Sequence, residues 1–239
     1  MSFNKQENVT LTGIIFTGFY ALTSIAFMTN FIPVFPLGIV VYPGESVNLH
    51  IFEPRYKQLI TECYAEGKPF GIPPVLKSGM GEMGTLAEVV EIAEVYEDGQ
   101  MDIKTRGLKV FRILEIVKSL PDKLYSGAIV TYPPNMVAQK PLIMNTVAAN
   151  IRILHGLLKL NKEFTNVDDQ LLSYDVAHHA ALSVDEEYEL LGLLREDQRL
   201  EYLKRHLQKV IPVVTEMETL KERVKLNGHF KNLSSDFNF

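Results

Sequence analysis

Apolar and polar positions along this chain follow two regimes. From Phe31 to about Tyr132, short apolar or alternating runs are cut by Pro and Gly. From Met136 onward, apolar residues recur every three to four positions. The first regime opens with FIPVFPLGIVVYPGESVNLHIFEPRY, Phe31 to Tyr56. Pro33 and Pro36 break its start, so Leu37–Tyr42, apolar and rich in β-branched residues, reads as a buried strand. Pro43-Gly44 punctuates it as a turn, because Pro presets φ and Gly tolerates positive φ. Ser46–Phe52 reads as a second strand. Pro54 fits the first turn of a helix, where its missing N–H costs nothing. That helix runs to about Ala65, with Tyr56, Leu59, Ile60 and Cys63 as its apolar stripe and Gly67 as its C-cap.

Phe70–Leu76 is a strand interrupted by Pro73 and Pro74, which places it at an edge or a bulge. Thr85–Tyr96 is the next strand, and Asp98-Gly99 is the tightest hairpin signal in the chain. Met101–Thr105 alternates as a half-exposed strand should. Gly107 is expected to bend the chain into Leu108–Val117, and Ser126–Tyr132 is a last strand ended by Pro133-Pro134. About six or seven strands with these turns suit a small closed barrel.

In the second regime, Ile143, Val147, Ile151, Leu154 and Leu158 form one long stripe, followed by a polar break over Asn161–Asp169. Leu171–Leu182 is expected to be a second helix. Ser183 and Glu186 have the spacing of a capping box opening a short helix to about Leu194. Asp197 starts the last long helix, with Leu200, Leu203 and Leu207 facing inward and Pro212 expected to bend or stop it. The fold class is therefore α+β. An apolar leader spans residues 1–30, a β-barrel part 31–135, a helical part 136–226 and a polar tail, expected to lack order, 227–239.

With 46% hydrophobic residues among 239, the chain can bury a substantial core. A formal charge of −5 and the absence of a basic run with interleaved aromatics argue against a nucleic-acid surface. The single cysteine, Cys63, excludes an intrachain disulfide and fits a reducing compartment. Leu11–Met28 carries no charge and is barely long enough to span a bilayer. It is a membrane anchor, a signal segment or translated sequence upstream of the true start. The favoured expectation is a cytoplasmic protein starting at Met28; a membrane location would follow only if residues 11–28 are retained as an anchor.

Three blocks, in order, resemble the N-terminal, substrate-binding domain of the ATP-dependent Lon proteases. They are Phe31–Tyr56, the Gly84–Ile116 segment GTLAEVVEIAEVYEDGQMDIKTRGLKVFRILEI, and the Ser173–Leu207 segment SYDVAHHAALSVDEEYELLGLLREDQRLEYLKRHL. The resemblance extends over roughly Phe31–Val214. It implies a PUA-like β pseudobarrel followed by a helical bundle, and a role in gripping protein substrates. It does not extend to an ATPase or a Ser-Lys peptidase module. The Gly79, Gly81, Gly84 cluster lacks the Lys-Ser/Thr of a phosphate loop and reads as a loop between strands.

No catalytic residue, metal ligand or cofactor is assigned. Cys63 sits on an apolar helix stripe, where an inert thiol is favoured over a nucleophile. His178 and His179 are adjacent, so on a helix they point about 100° apart and make no metal pair. His50 reads as a satisfied structural histidine, Asp168-Asp169 as a helix-start pair, and Glu53/Arg55 as an ion pair or cap flanking Pro54. Binding is expected either by addition of a peptide to an edge strand or at an apolar groove with Pro33–Leu37 and Phe70–Leu76 as candidate rims. Its candidate residues are Phe35, Phe52, Arg55, Tyr56 and Phe70, and the competing reading places the four aromatics in the core. The expected partners are unfolded or hydrophobic protein segments; the sequence leaves open whether the chain simply holds them or delivers them, as an adaptor, to a separate ATP-dependent protease. The alternatives are an RNA-binding PUA-like protein and a hydrolase with an unrecognised site.

Overall fold

The computed structural model describes residues 30–162, 164 and 171–233, those after 225 as backbone only. The apolar leader and Asp168-Asp169 lie outside the described residues. Among the described residues, eight strands and five α-helices follow in this order: β1 Asn30–Pro33, β2 Ser46–Ile51, α1 Pro54–Glu66, β3 Phe70–Ile72, β4 Val75–Leu76, β5 Gly79–Met80, β6 Met83–Val95, β7 Met101–Val117, β8 Gly127–Thr131, α2 Pro141–Leu158, α3 Ser173–Val176, α4 Val184–Gly192 and α5 Glu196–Leu233. This is the mixed α+β architecture expected from the two regimes.

The main sheet is antiparallel, in the order β1-β8-β7-β6-β3, with β2 paired to the other half of β7. It curls until its two ends meet: Val34 bridges Gly71, and the Phe35 N–H donates to the Gly71 carbonyl at 2.8 Å. β3 stands last in the sheet order, but the Val34–Leu37 segment bridges its outer side, so Phe70–Leu76 is not a free edge; β3 ends at Ile72, before the two prolines, and only the short β4–β5 hairpin lies beyond. The β6–β7 hairpin turns at Asp98-Gly99, with Gly99 at φ 75°. Its strands are long and carry three register shifts, which add the curvature a small barrel needs.

Two further expectations about this half are corrected. Met101–Thr105 and Leu108–Val117 are not two strands but one, β7, which runs through Gly107 with a register shift beside it. Gly107 exchanges backbone hydrogen bonds with Gly44 and Glu45, each at 2.8 Å. A Cβ there would run into the Tyr42 carbonyl oxygen, so the position needs glycine for close approach. Leu37–Tyr42 is not a strand, in spite of its propensity. It is an irregular link whose side chains serve two cores: Val41 enters the barrel core, while Val40 and Tyr42 enter the helical core. Burial in two directions overrides the preference for a ladder.

The apolar stripe of α1 is as expected: Tyr56, Leu59, Ile60 and Cys63 are buried against the barrel. Full burial of Leu59 and Ile60 contributes about 1.5–3 kcal/mol each. Pro54 stands at the helix start and Gly67 ends it in the left-handed conformation at φ 60°.

In the helical half, α2 packs along the first part of α5. Met144, Val147, Ile151 and Leu154 meet Leu200, Leu203 and Leu207 in a core that also takes Met83 and Val110 from the barrel. The Ser183 capping box is formed. Leu171–Leu182 is not one helix. It is a single α-turn, α3, then a turn of 3-10 helix over Ala177–His179, because the segment is pinned by buried bonds at Ser173. Pro212 does not stop α5, which continues to Leu233, so the first part of the polar tail is helical. Among the described residues no helix is long and apolar enough to cross a membrane.

Candidate peptide-binding cleft

The β2–α1 link builds the candidate site. β2 ends at Ile51, whose side chain enters the barrel core and leaves Phe52 pointing outward, 59% exposed. Glu53 has extended backbone at the helix N-cap, and its carbonyl accepts from the Tyr56 and Lys57 N–H groups at 3.0 Å. Its carboxylate accepts from Arg55 Nε and Nη2, both at 2.8 Å. The ion pair expected from the sequence is therefore present. Arg55 in turn lies over the Tyr56 ring, with Cζ 4.5 Å from the centroid. Beneath, the Tyr56 and Phe35 rings are 4.0 Å apart, and Phe35 and Phe70 are 6.3 Å apart.

This stack forms the floor and one wall of a cleft of about 270 Å³, lined by Phe35–Gly38, His50–Glu53, Arg55 and Tyr56. A smaller recess of about 90 Å³ lies on the other side of Pro36, Arg55 and Tyr56, against Val34, Met80 and Ile116. Of the two rims expected from the sequence, Phe35–Leu37 of the first lines this cleft and no residue of Phe70–Leu76 does. The aromatic candidates divide. Phe52 stands at the lip, while Phe35 and Tyr56 belong to the buried barrel core, 6% and 7% exposed, as the competing reading has it. Phe70 is fully buried among core residues, so it supports the stack from beneath and does not line the cleft. That last placement corrects its expected role: as the first residue of β3, paired with Ala87 of β6, it faces the interior.

His50, read from the sequence as a satisfied histidine, is held in a polar bracket beside the cleft. His50 Nδ1 meets Asp102 at 2.7 Å and Nε2 meets Gln100 at 2.7 Å. The Tyr96 hydroxyl donates to the other Asp102 oxygen at 2.7 Å. Hydrogen bonds to Asp102 and Gln100 raise the His50 pKa, and those from Tyr96 and His50 lower that of Asp102. The His50 ring stacks 6.3 Å from Phe52. The register that pairs His50 with Asp102 across β2 and β7 is the signal that could have found it.

The other candidates are structural. Burial, with the charges of Glu62 and Glu66, pushes the Cys63 thiol up to about 11, so it is neutral at ordinary pH and a poor nucleophile. His178 is bound between Glu187 at 2.7 Å and Glu45 at 3.2 Å, while His179 turns toward His155 and Phe164. Among the described residues, no group of three or more His, Cys, Asp or Glu could hold a metal ion.

The family model of the ATP-dependent protease La (LON) substrate-binding domain matches residues 32–209. This chain belongs to that family. Among solved structures, a Lon N-terminal domain protein from Xanthomonas campestris aligns at 24% identity with a TM-score of 0.57, covering 73% of this chain and 96% of that one. The N-terminal domain of a Mycobacterium avium complex Lon protease aligns at 18% identity with a TM-score of 0.56, covering 75% and 98%. At these identities the two structures share the Lon N-terminal fold with this chain. The barrel, the cleft and the helical half through Lys209 all fall within the family match.

Proposed function

We propose that this chain holds unfolded or hydrophobic segments of other proteins and does not cut them, serving as a free-standing substrate-binding module of Lon type. The observation that carries the reading is Phe52: a large aromatic side chain held outward at the mouth of a cleft of mixed apolar and polar lining, in a chain whose family is defined by substrate binding. An extended segment can set an aliphatic or aromatic side chain against Phe52 and the Phe35–Tyr56 stack. The Glu53–Arg55 pair and the His50–Asp102 bracket supply polar contacts for its backbone. This arrangement makes few demands on sequence, as a binder of many unfolded clients requires, and binding is expected in the micromolar range or weaker.

The neutral, buried Cys63 supports a role without covalent catalysis. In this reading clients are handed to a separate ATP-dependent protease, and the protein works in the cytoplasm. The test is a titration of a fluorescently labelled, permanently unfolded polypeptide, followed by anisotropy and by gel over the same hours. Saturable binding of an intact polypeptide is expected. Binding that is absent, or a polypeptide that is shortened, would contradict the proposal. A labelled RNA that bound more tightly than the polypeptide would favour the RNA-binding alternative.

A further inference from the structure

β2 leaves an edge of the main sheet open beside the cleft. One flank of β7 is taken by β6, and the other is shared between β8 on its second half and β2 on its first. Among the described residues, no strand pairs with the far side of β2. The direction of its peptide groups follows from the ladder. The Glu45 carbonyl accepts from the Gly107 N–H at 2.8 Å, and β2 keeps an unbroken register with β7 from Ser46 opposite Arg106 to Ile51 opposite Met101. Successive residues of a strand turn their N–H and C=O groups to opposite sides, so Val47, Leu49 and Ile51 face β7 with theirs. Ser46, Asn48 and His50 turn theirs to the open side. All three are exposed, and among the described residues no loop or side chain bonds to their N–H or C=O groups.

Open edges are ordinarily blunted by proline, charge or a bulge. β6 beyond Ala87 follows that rule, with two register shifts and with Glu88, Glu91 and Glu94 along it. β2, with the sequence SVNLHI, has no proline, no Asp, Glu, Lys or Arg, and no bulge. Its His50 end runs into the cleft, which His50, Ile51 and Phe52 help to line.

We infer that an extended polypeptide segment pairs with this edge and adds a strand to the sheet beside β2. The inference rests on the reading that clients bind at the cleft, and it names what they present there, which is main chain. An alternating row of N–H and C=O groups is matched by the backbone of any extended polypeptide, whatever its side chains. A folded protein keeps those groups paired within itself, so the edge selects unfolded chain. Continuity of the edge with the cleft makes a client segment the occupant. A side chain of the added strand that lies past His50 reaches Phe52, so the ladder supplies affinity and the cleft supplies a preference for apolar residues.

The experiment is residue-resolved amide hydrogen exchange of the isotope-labelled whole chain by nuclear magnetic resonance, alone and with a saturating amount of the unfolded polypeptide. In the free protein, Val47, Leu49 and Ile51 should exchange slowly, and Asn48 and His50 fast. With polypeptide bound, the Ser46, Asn48 and His50 amides should slow by about tenfold or more. Asn48→Pro removes one outward donor and spares the ladder to β7, since an edge strand tolerates proline where the N–H faces solvent. It should weaken binding by about tenfold with an unchanged circular dichroism spectrum. If the polypeptide binds while Asn48 and His50 still exchange fast, or if a folded Asn48→Pro chain binds as well as the native one, strand addition is overturned and the cleft reading stands. If the polypeptide does not bind, both fall. Slowing in the protein alone that grows with its concentration would mean that a second copy takes the edge, which also overturns the inference.

Discussion

The Arg199 guanidinium donates to the Glu196 carboxylate at 2.7 Å, and both side chains are shut off from water. Around them, Ser173 gives its N–H and hydroxyl to Glu196 at 2.7 and 2.8 Å, and Arg199 reaches the Ser173 hydroxyl, the Asn135 side chain and the Leu193 carbonyl. Arg199 also lies over Tyr174, with Cζ 4.2 Å from the ring centroid. One buried ion pair thus ties the barrel's exit at Asn135, the α3 turn and the start of α5 together.

Removing one member leaves an uncompensated charge. Arg199→Met should cost about 3–5 kcal/mol of stability. Adding Glu196→Gln should recover part of that loss by neutralising the stranded carboxylate. Urea denaturation of the single and double variants checks both. Equal loss in the two would mean that packing rather than charge dominates.

A second contact between the halves predicts a pH dependence. Desolvation disfavours the charged form of His178, but hydrogen bonds to Glu187 and Glu45 and their charges outweigh it and raise its pKa from 6.5 to about 9. The contribution to stability is present in full below the unfolded value and is lost as pH rises through about 9. The melting temperature should therefore fall between pH 6.5 and 9 more steeply in the native protein than in His178→Gln.

The division of the aromatic residues gives opposite outcomes for two truncations. Phe70→Ala should destabilise the protein by about 3–5 kcal/mol, since it empties part of the barrel core. Phe52→Ser should change stability by less than about 0.5 kcal/mol while weakening the binding of unfolded polypeptide by about tenfold. Thermal denaturation beside anisotropy titration separates the two. A Phe52→Ser protein that binds as well as the native one would remove Phe52 from the site.

Gly107→Ala tests the close approach of β7 to the Tyr42 link. The added methyl group meets the Tyr42 carbonyl, so the backbone must shift and the paired bonds to Gly44 and Glu45 weaken. A loss of about 1–3 kcal/mol is expected in denaturant unfolding.

Much of this was legible in the sequence, for reasons that particular residues show. The α1 stripe, its Pro54 start and Gly67 stop, the Asp98-Gly99 hairpin and the Ser183 capping box are local signals, and each formed as read. Leu37–Tyr42 misled because its apolar residues look like one strand while they serve two cores. Leu171–Leu182 misled because its helical spacing gave no sign of the buried Ser173–Glu196 bonds that break it up. Of the site, the segment Phe35–Leu37 was readable as a wall, but the exposure of Phe52 alone among the four aromatics was not. The burial of Phe70 and the His50–Asp102 bracket depend on strand register, which joins residues far apart in the chain.

The central claim is that clients are held at the cleft between the Phe35 link and the start of α1. Hydrogen exchange of the backbone amides, followed by mass spectrometry with and without saturating unfolded polypeptide, tests it most directly. Slowed exchange confined to peptides spanning Phe35–Gly38 and Ser46–Tyr56, with α2 and α5 unchanged, is the predicted result. Protection found only on the helical half, or none at saturation, would contradict it.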